Sequence, residues 1–137
     1  MKREWRDMKI EELSVGDWVM NLYANKPSRV TALRAMFQDT YEIIAVSDGT
    51  QYMLIEDKEL HNYEPIPLTP EILDKNGISK TYESDEYAVY KGEGFNVTEY
   101  YTELWEFERH RNRLMIRNVH QLQHALRLAG VEKEIEV

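Results

Sequence analysis

Two histidines stand four residues apart, at His120 and His124, a spacing that places both imidazoles on one side of a helix. Such a pair can bind one zinc ion, as in metalloprotease helices with a general-base glutamate directly after the first histidine. Gln121 occupies that position here, and spacing identifies no third ligand. The acidic and histidine side chains available elsewhere are Glu99, Glu103 and His110. A half-exposed helix face accounts for the pair more simply, so we predict no metal ion and no cofactor.

The histidine pair belongs to a segment with an unusual balance of charge. Between Arg109 and Val131 the sequence has no acidic residue, whereas Thr81–Glu108 carries eight carboxylates against a single lysine. The basic and imidazole side chains of this acid-free segment are Arg109, His110, Arg111, Arg113, Arg117, His120, His124 and Arg127. We select as candidate ligand-binding residues four that no strand partner claims. They are Arg111, His120, His124 and Arg127, and an anionic ligand such as a nucleotide would suit them.

Other catalytic constellations are incomplete, and no catalytic residue is predicted. The chain has no cysteine, no glycine-flanked serine of the nucleophilic type and no Ser–His–Asp spacing. Gly92 and Gly94 are too few and lie in a strand–turn–strand context, so they do not make a phosphate-binding loop. Whether the chain is an enzyme stays open, with the balance towards a protein that is not.

The composition bounds the class of protein. The chain has 137 residues and a formal net charge of −8, which predicts a single domain, residues 1–137, and disfavours direct nucleic-acid binding through phosphate neutralisation. Met1–Asp7 carries basic residues without an apolar stretch behind them, which is not typical of a signal peptide. No apolar run approaches the ~20 residues of a membrane span. We therefore expect a cytoplasmic protein with no membrane association.

The order of elements predicts an α+β fold. Residues 1–68 should form an antiparallel N-terminal sheet or partial barrel, with a turn at Gly16-Asp17, a turn cluster at residues 25–28 and a hairpin turn at Ser47–Thr50. A short linking helix should occupy residues 69–77, because Thr69 is a good N-cap and Asn76-Gly77 a good C-terminal stop. Residues 82–137 should form a second antiparallel meander packed by a C-terminal helix.

The end of the chain permits a prediction of register. Alternation in Glu103–Glu108 and Arg113–Arg117 predicts a hairpin with a four-residue loop, residues 109–112. The predicted cross-strand pairs are Phe107 with Leu114, Trp105 with Ile116 and Glu108 with Arg113. Asn118 should cap a helix running to about Ala129, with Gln121 completing a capping box. The predicted core combines both elements through Trp105, Leu114, Ile116, Leu122 and Leu126.

Three stretches carry a family resemblance. Glu12–Val19, the cassette Pro65–Leu73 followed by Asn76-Gly77, and Val119–Gln123 resemble segments of a family of small uncharacterised proteins. That family is found in phages, prophages and mobile elements of Bacteroides-like bacteria. The resemblance spans the beginning, middle and end of the chain. It implies an accessory protein of a phage or mobile element, and it implies no particular activity.

The expected function is that of a non-enzymatic binding protein. Nine tyrosines and three tryptophans supply more amphipathic surface than one small core absorbs, and these residues favour interfaces. The partner would be a macromolecule, with counter-defence as one possible setting. The alternative is a binder of a small nucleotide-like anion, or a histidine-based metal-dependent enzyme.

Overall fold

A computed structural model describes residues 12–22, 25–36, 41–47, 51–56 and 63–137. The chain divides into two compact units, Met1–Ile66 and Pro67–Val137, and the division falls close to the predicted boundary between residues 68 and 69. The predictions made for Met1–Asp7 and for the centre of the turn at Ser47–Thr50 lie outside the described residues. The prediction of a single domain stays a prediction.

The first unit contains an antiparallel sheet in the order β4-β3-β2-β1-β5. Its strands are β1 (Trp18–Asn21), β2 (Lys26–Met36), β3 (Tyr41–Ser47), β4 (Gln51–Glu56) and β5 (Tyr63–Glu64). In the described residues the sheet is open, with β4 and β5 at its edges, rather than closed into a barrel. Gly16 provides the tight turn before β1 at φ 97°, and its N–H donates to the carbonyl of Val30 at 2.7 Å.

The predicted turn cluster at residues 25–28 is wrong in extent. Only Asn25 adopts a turn conformation, with φ 54°, while β2 already begins at Lys26 and pairs Pro27 with Met20 of β1. The composition Asn-Lys-Pro-Ser is typical of turns. Pairing with β1 nevertheless overrides that local preference, because proline's fixed φ is compatible with extended backbone.

The second unit contains a five-stranded antiparallel meander in the order β10-β9-β8-β7-β6. Its strands are β6 (Ser79–Glu83), β7 (Tyr87–Gly92), β8 (Phe95–Tyr100), β9 (Leu104–Arg109) and β10 (Asn112–Ile116). Together with the helices described below, the two sheets confirm the predicted α+β class and the helix-bearing second meander. The sheet also starts three residues before the predicted residue 82, because β6 pairs Ser79 with Lys91.

Helix α1 (Pro70–Lys75) confirms the predicted linking helix. The Thr69 hydroxyl accepts from the N–H of Ile72 at 3.2 Å, which satisfies one of the N-terminal donors that a helix leaves open. At the other end Gly77, at φ 74°, permits hydrogen bonds from its own N–H to Asp74 and from Ile78 to Leu73, at 3.0 and 2.9 Å. This pair of bonds is a Schellman motif.

Helix α2 (Val119–Leu128) confirms the predicted C-terminal helix. The Asn118 side chain accepts from the N–H of Gln121 at 3.0 Å, as predicted. The second half of the predicted capping box is wrong. The Gln121 side chain accepts from the backbone N–H of Arg117 at 2.7 Å, whereas a capping box requires the N–H of Asn118. The preceding backbone folds back towards Leu68, whose N–H donates to the Arg117 carbonyl at 3.1 Å, and this brings the Arg117 N–H within reach of Gln121.

The predicted register of the last hairpin is confirmed at all three pairs: Phe107 with Leu114, Trp105 with Ile116 and Glu108 with Arg113. The predicted four-residue loop is too long, because Arg109 and Asn112 themselves pair. The turn therefore consists of His110 and Arg111. His110 takes the left-handed conformation, at φ 56°, that a tight hairpin turn demands.

The core of the second unit lies on one face of the meander, hereafter the buried face. Its buried side chains include Ala88, Tyr90, Phe95, Val97, Trp105, Phe107 and Ile116, and α2 contributes Val119, Leu122, Ala125 and Leu126. The predicted burial of Trp105, Ile116, Leu122 and Leu126 is confirmed. The prediction for Leu114 is wrong, since its side chain is 44% exposed. Among the described residues no helix combines the length and apolar composition needed to cross a membrane.

Candidate functional site

The four predicted ligand-binding residues lie in two places. Arg111 is exposed in the turn between β9 and β10, while the other three lie on α2. His120 is buried in the first helical turn, His124 is partly exposed and Arg127 is exposed near the C-terminal end. Whether these four bind one ligand stays a prediction.

The histidine pair has the close spacing that the sequence predicts. The rings of His120 and His124 lie 5.7 Å apart between centroids, with an edge-to-face angle of 69°. In the part of the chain that the structure describes, no group of three or more histidine, aspartate or glutamate side chains is placed to hold a metal ion. The two rings make an edge-to-face aromatic contact between successive turns of α2.

A surface groove lies between the β9–β10 hairpin and the C-terminal half of α2, and we call it the hairpin–helix groove. It has a volume of about 400 Å³ and is lined by Phe107, Arg109, His110, Asn112, Arg113, Leu114, Ala125, Leu128 and Ala129. Leu114 is exposed because the helix presents Ala125 and Ala129 towards this region, and two methyl groups one turn apart do not reach across to it. The groove therefore replaces the close packing that was predicted around Leu114.

The two arginines of the hairpin–helix groove differ in their partners. The Nε of Arg113 donates to a carboxylate oxygen of Glu108 at 3.2 Å, which confirms the predicted opposite-charge pair. Arg109 forms no ion pair within the described residues, and its Nη1 reaches to 3.4 Å from the position of a Cβ built on Gly94. None of the residues lining the groove is acidic. The groove lining thus combines apolar side chains with Arg109, whose guanidinium extends as far as the turn at Gly94.

None of the four predicted residues lines this groove, although it is formed largely by the same acid-free segment. His120 and His124 precede Leu128 at four-residue intervals, so they continue the row of side chains to which Leu128 belongs. Arg127 points about 100° away from Leu128 around the helix axis. The four predicted residues and the groove thus belong to the same acid-free segment but have no residue in common.

The opposite side of the second sheet carries a surface that we call the tyrosine face. Register places Tyr87 directly opposite Tyr100 and Tyr100 opposite Leu104, while Tyr82 pairs with Val89 on the same side. The rings of Tyr82 and Tyr87 lie 5.4 Å apart, and those of Tyr87 and Tyr100 lie 6.1 Å apart. None of these side chains is buried, and Tyr82 is 51% exposed.

Carboxylates accompany the tyrosine face. The Tyr100 hydroxyl donates to the Glu106 carboxylate at 3.4 Å, and Glu86 adjoins Tyr87 in the chain. The pKa of the Tyr87 phenol is raised, first by the neighbouring Tyr82 phenol through charge interaction and a hydrogen bond, then by burial, Tyr100 and Glu86. The pKa of the Tyr100 phenol is also raised, by burial first and then by Glu106. With raised pKa values, both phenols remain neutral at pH 7.

The tyrosine face is not predicted as a site by the sequence, although the abundance of tyrosine is evident there. A usable pattern was present, because Tyr87 and Tyr100 occupy corresponding positions in two strands joined by the predicted Gly-rich turn. Tyr82 could not be added from the sequence, since it lies on the undetected strand β6.

Comparison with known proteins supplies no relative. No family model matches the chain, and neither a curated protein nor a solved structure shows significant similarity to it. The resemblance to proteins of phages and mobile elements therefore stays a prediction.

Proposed function

We propose that the chain is a non-enzymatic binding protein that engages a basic segment of a protein partner through the tyrosine face. One observation carries this proposal. Tyr82, Tyr87 and Tyr100 form a partly exposed row across three neighbouring strands, with successive rings 5.4 and 6.1 Å apart. A continuous aromatic row on an open sheet face is a surface feature that the packing of the buried face does not require.

Tyrosine suits such an interface for physical reasons. Its ring provides a large contact area with only two side-chain torsions to fix, and its hydroxyl keeps the uncovered surface compatible with water. Contacts between the rings hold them in place before a partner arrives, which lowers the entropic cost of binding. Leu104 and the half-exposed Met115 add apolar area on the same side of the sheet.

The carboxylates around the tyrosine face favour a basic partner, because Arg113, the cation that also acts on Tyr100, is already paired with Glu108. Glu106 and Glu86 place carboxylates beside neutral phenol rings, and a lysine or arginine of the partner could contact both a ring face and a carboxylate. Aromatic rows on sheets also stack nucleic-acid bases, but those surfaces need clustered cations to neutralise phosphates. The net charge of −8 favours the basic protein partner.

The proposal includes the setting implied by the family resemblance. The chain would act in the bacterial cytoplasm as an accessory protein of a phage or mobile element. Counter-defence is one role that fits, and in that case the partner would be a protein of the host. Support for this setting comes from the three resembling segments, which are Glu12–Val19, Pro65–Leu73 followed by Asn76-Gly77, and Val119–Gln123.

A peptide-display selection tests the proposal without a known partner. A random 12-residue library is selected on the full chain and counted against a Tyr82→Ser/Tyr87→Ser/Tyr100→Ser variant whose fold is verified by circular dichroism. We expect enriched peptides to be rich in lysine and arginine and to bind the triple variant at least tenfold more weakly. Tyr101→Ser is the matched control, because Tyr101 is also exposed, at 48%, but lies outside the row.

Two outcomes would contradict the proposal. Enriched peptides that bind the triple variant as tightly as the wild type would place the binding surface elsewhere. Enrichment of acidic peptides would reject the charge argument while leaving the tyrosine row as an interface of another kind.

A further inference from the structure

The hairpin–helix groove has the chemistry of a second binding site, which goes beyond the proposed function and does not depend on the tyrosine face. Its apolar part combines Phe107 and Ala125 with Leu114 and Leu128. Leu128 is 83% exposed and Leu114 is 44% exposed, although both are large apolar side chains. Phe107 and Ala125 are buried. The groove therefore has a buried apolar base, with the exposed side chains of Leu114 and Leu128 on its sides.

The rim of the groove is cationic at one end. Arg109 makes no ion pair among the described residues, whereas Arg113 already binds Glu108 at 3.2 Å. No acidic side chain lines the groove, so no lining carboxylate repels an incoming anion. Arginine binds carboxylates in a bidentate manner that fixes orientation as well as adding attraction.

We propose that the hairpin–helix groove binds a medium-chain carboxylate, with its hydrocarbon chain between Leu114 and Leu128 and its carboxylate on Arg109. A volume of about 400 Å³ falls within the range of small-molecule sites, roughly 300–1,000 Å³. Among the described residues that line the groove, Arg109 is the arginine without an ion pair, and one such guanidinium suits one negative charge. A nucleotide would need several phosphate donors and polar contacts for its base, and the mainly apolar lining offers few of these.

Calorimetric titration of the full chain with decanoate tests this site. We expect saturable binding of one decanoate, at least tenfold weaker binding of decanol, and no saturable binding of decyltrimethylammonium. Arg109→Gln should weaken decanoate binding at least tenfold. Arg117→Gln is the matched control, because it removes the same charge from an exposed position outside the groove, and it should change the affinity less than twofold.

A second variant keeps the test independent of any effect of Arg109 on folding. Leu128→Ser alters a side chain that is 83% exposed, so the fold should persist while decanoate affinity falls at least fivefold. The triple tyrosine variant should bind decanoate like the wild type, which separates this site from the proposed function.

Three results would overturn the inference. The first is equal binding of decanoate, decanol and the ammonium compound, which would indicate detergent-like adsorption. The second is the absence of saturable decanoate binding. The third is a dimer, detected by sedimentation, that Leu128→Glu dissociates, because a second copy of the chain would then occupy the groove.

Discussion

The two faces of the second sheet are made by alternate residues of the same five strands, yet they hold their aromatic rings differently. On the buried face Phe95 stacks on Phe107 with ring centroids 5.5 Å apart, and Tyr90 contacts Trp105 at 5.9 Å. On the tyrosine face the centroid distances are 5.4 and 6.1 Å, so the rings approach one another equally closely. The difference lies in their solvent exposure.

This comparison shows that ring contacts alone do not make a core. Phe95, Phe107 and Trp105 are each 4% exposed, and their burial removes apolar area from water, which is the main source of stability. Tyr82 keeps half of its surface exposed, so its contacts add little stability and leave area available to a partner. The buried face should therefore determine folding, and the tyrosine face should determine binding.

The largest expected effect on stability comes from changing a buried side chain of α2, the helix that completes the core on the buried face. Leu122 of α2 is 0% exposed, so Leu122→Ala should lower the free energy of unfolding by about 2–5 kcal/mol through lost transfer energy and a residual cavity. Urea unfolding followed by circular dichroism measures this change.

Leu128→Ala is its control on the same helix. Leu128 is 83% exposed, so the same chemical change should alter the free energy of unfolding by less than about 0.5 kcal/mol. Equal losses in the two variants would show that α2 is not docked through Leu122.

The next effect tests how tightly the buried face is packed. Gly92 lies opposite Phe95, and a Cβ built on Gly92 would clash with the Phe95 ring. Gly92→Ala should therefore destabilise the fold by about 1–3 kcal/mol through overpacking.

A double-mutant cycle with Phe95→Leu checks the cause of that loss. Removing the ring should relieve part of the cost of the added methyl group, which would appear as a coupling between the two substitutions. Additive effects would mean that the added methyl group is accommodated without contact with Phe95.

The tyrosine face should respond more weakly. The Tyr100 hydroxyl donates to Glu106 over 3.4 Å from a partly buried position, so Tyr100→Phe should cost less than about 1 kcal/mol of folding free energy. The matching cycle uses Glu106→Gln in the same urea experiment. A loss of about 2 kcal/mol or more would reject the distinction between the two faces, because the tyrosine face would then also be part of the stabilising core.

Much of the fold of the second unit could be predicted because its determinants are local. Thr69 and Asn118 cap the two helices through their own side chains. Strict alternation around Trp105 and Phe107 sets the register of β9 and β10, since a slip of one residue would move the apolar set to the other face. The strand β6 escaped prediction because every residue in Ser79–Glu83 is exposed, so it has no apolar alternation.

The two surfaces could not be predicted because each depends on details of pairing between distant residues. The register shifts between Lys80 and Tyr82, and this bulge places Tyr82 opposite Val89 on the side of Tyr87. Without it Tyr82 would fall on the buried face. Likewise the hairpin–helix groove arises where Ala125 and Ala129 face Leu114 without reaching it, a combination that spacing along the chain does not reveal.

The smallest effect concerns a carboxylate on the buried face, where register places Glu99 between Ala88 and Trp105. The pKa of Glu99 is raised, chiefly by burial, and the attraction of Lys80 and a hydrogen bond from Tyr90 only partly oppose this. The folded state therefore binds the proton more tightly than the unfolded state. Stability from this group is complete below the unfolded pKa and is lost as pH rises through the folded pKa.

Glu99→Gln should consequently gain stability relative to wild type between about pH 4 and pH 7, measured by urea unfolding at both values. Glu93→Gln, in an exposed turn, is the control for removing one negative charge. If the stability advantage of Glu99→Gln over wild type becomes smaller as pH rises, the effects of Lys80 and Tyr90 outweigh that of burial. The buried face would then accommodate this charge as readily as the tyrosine face does.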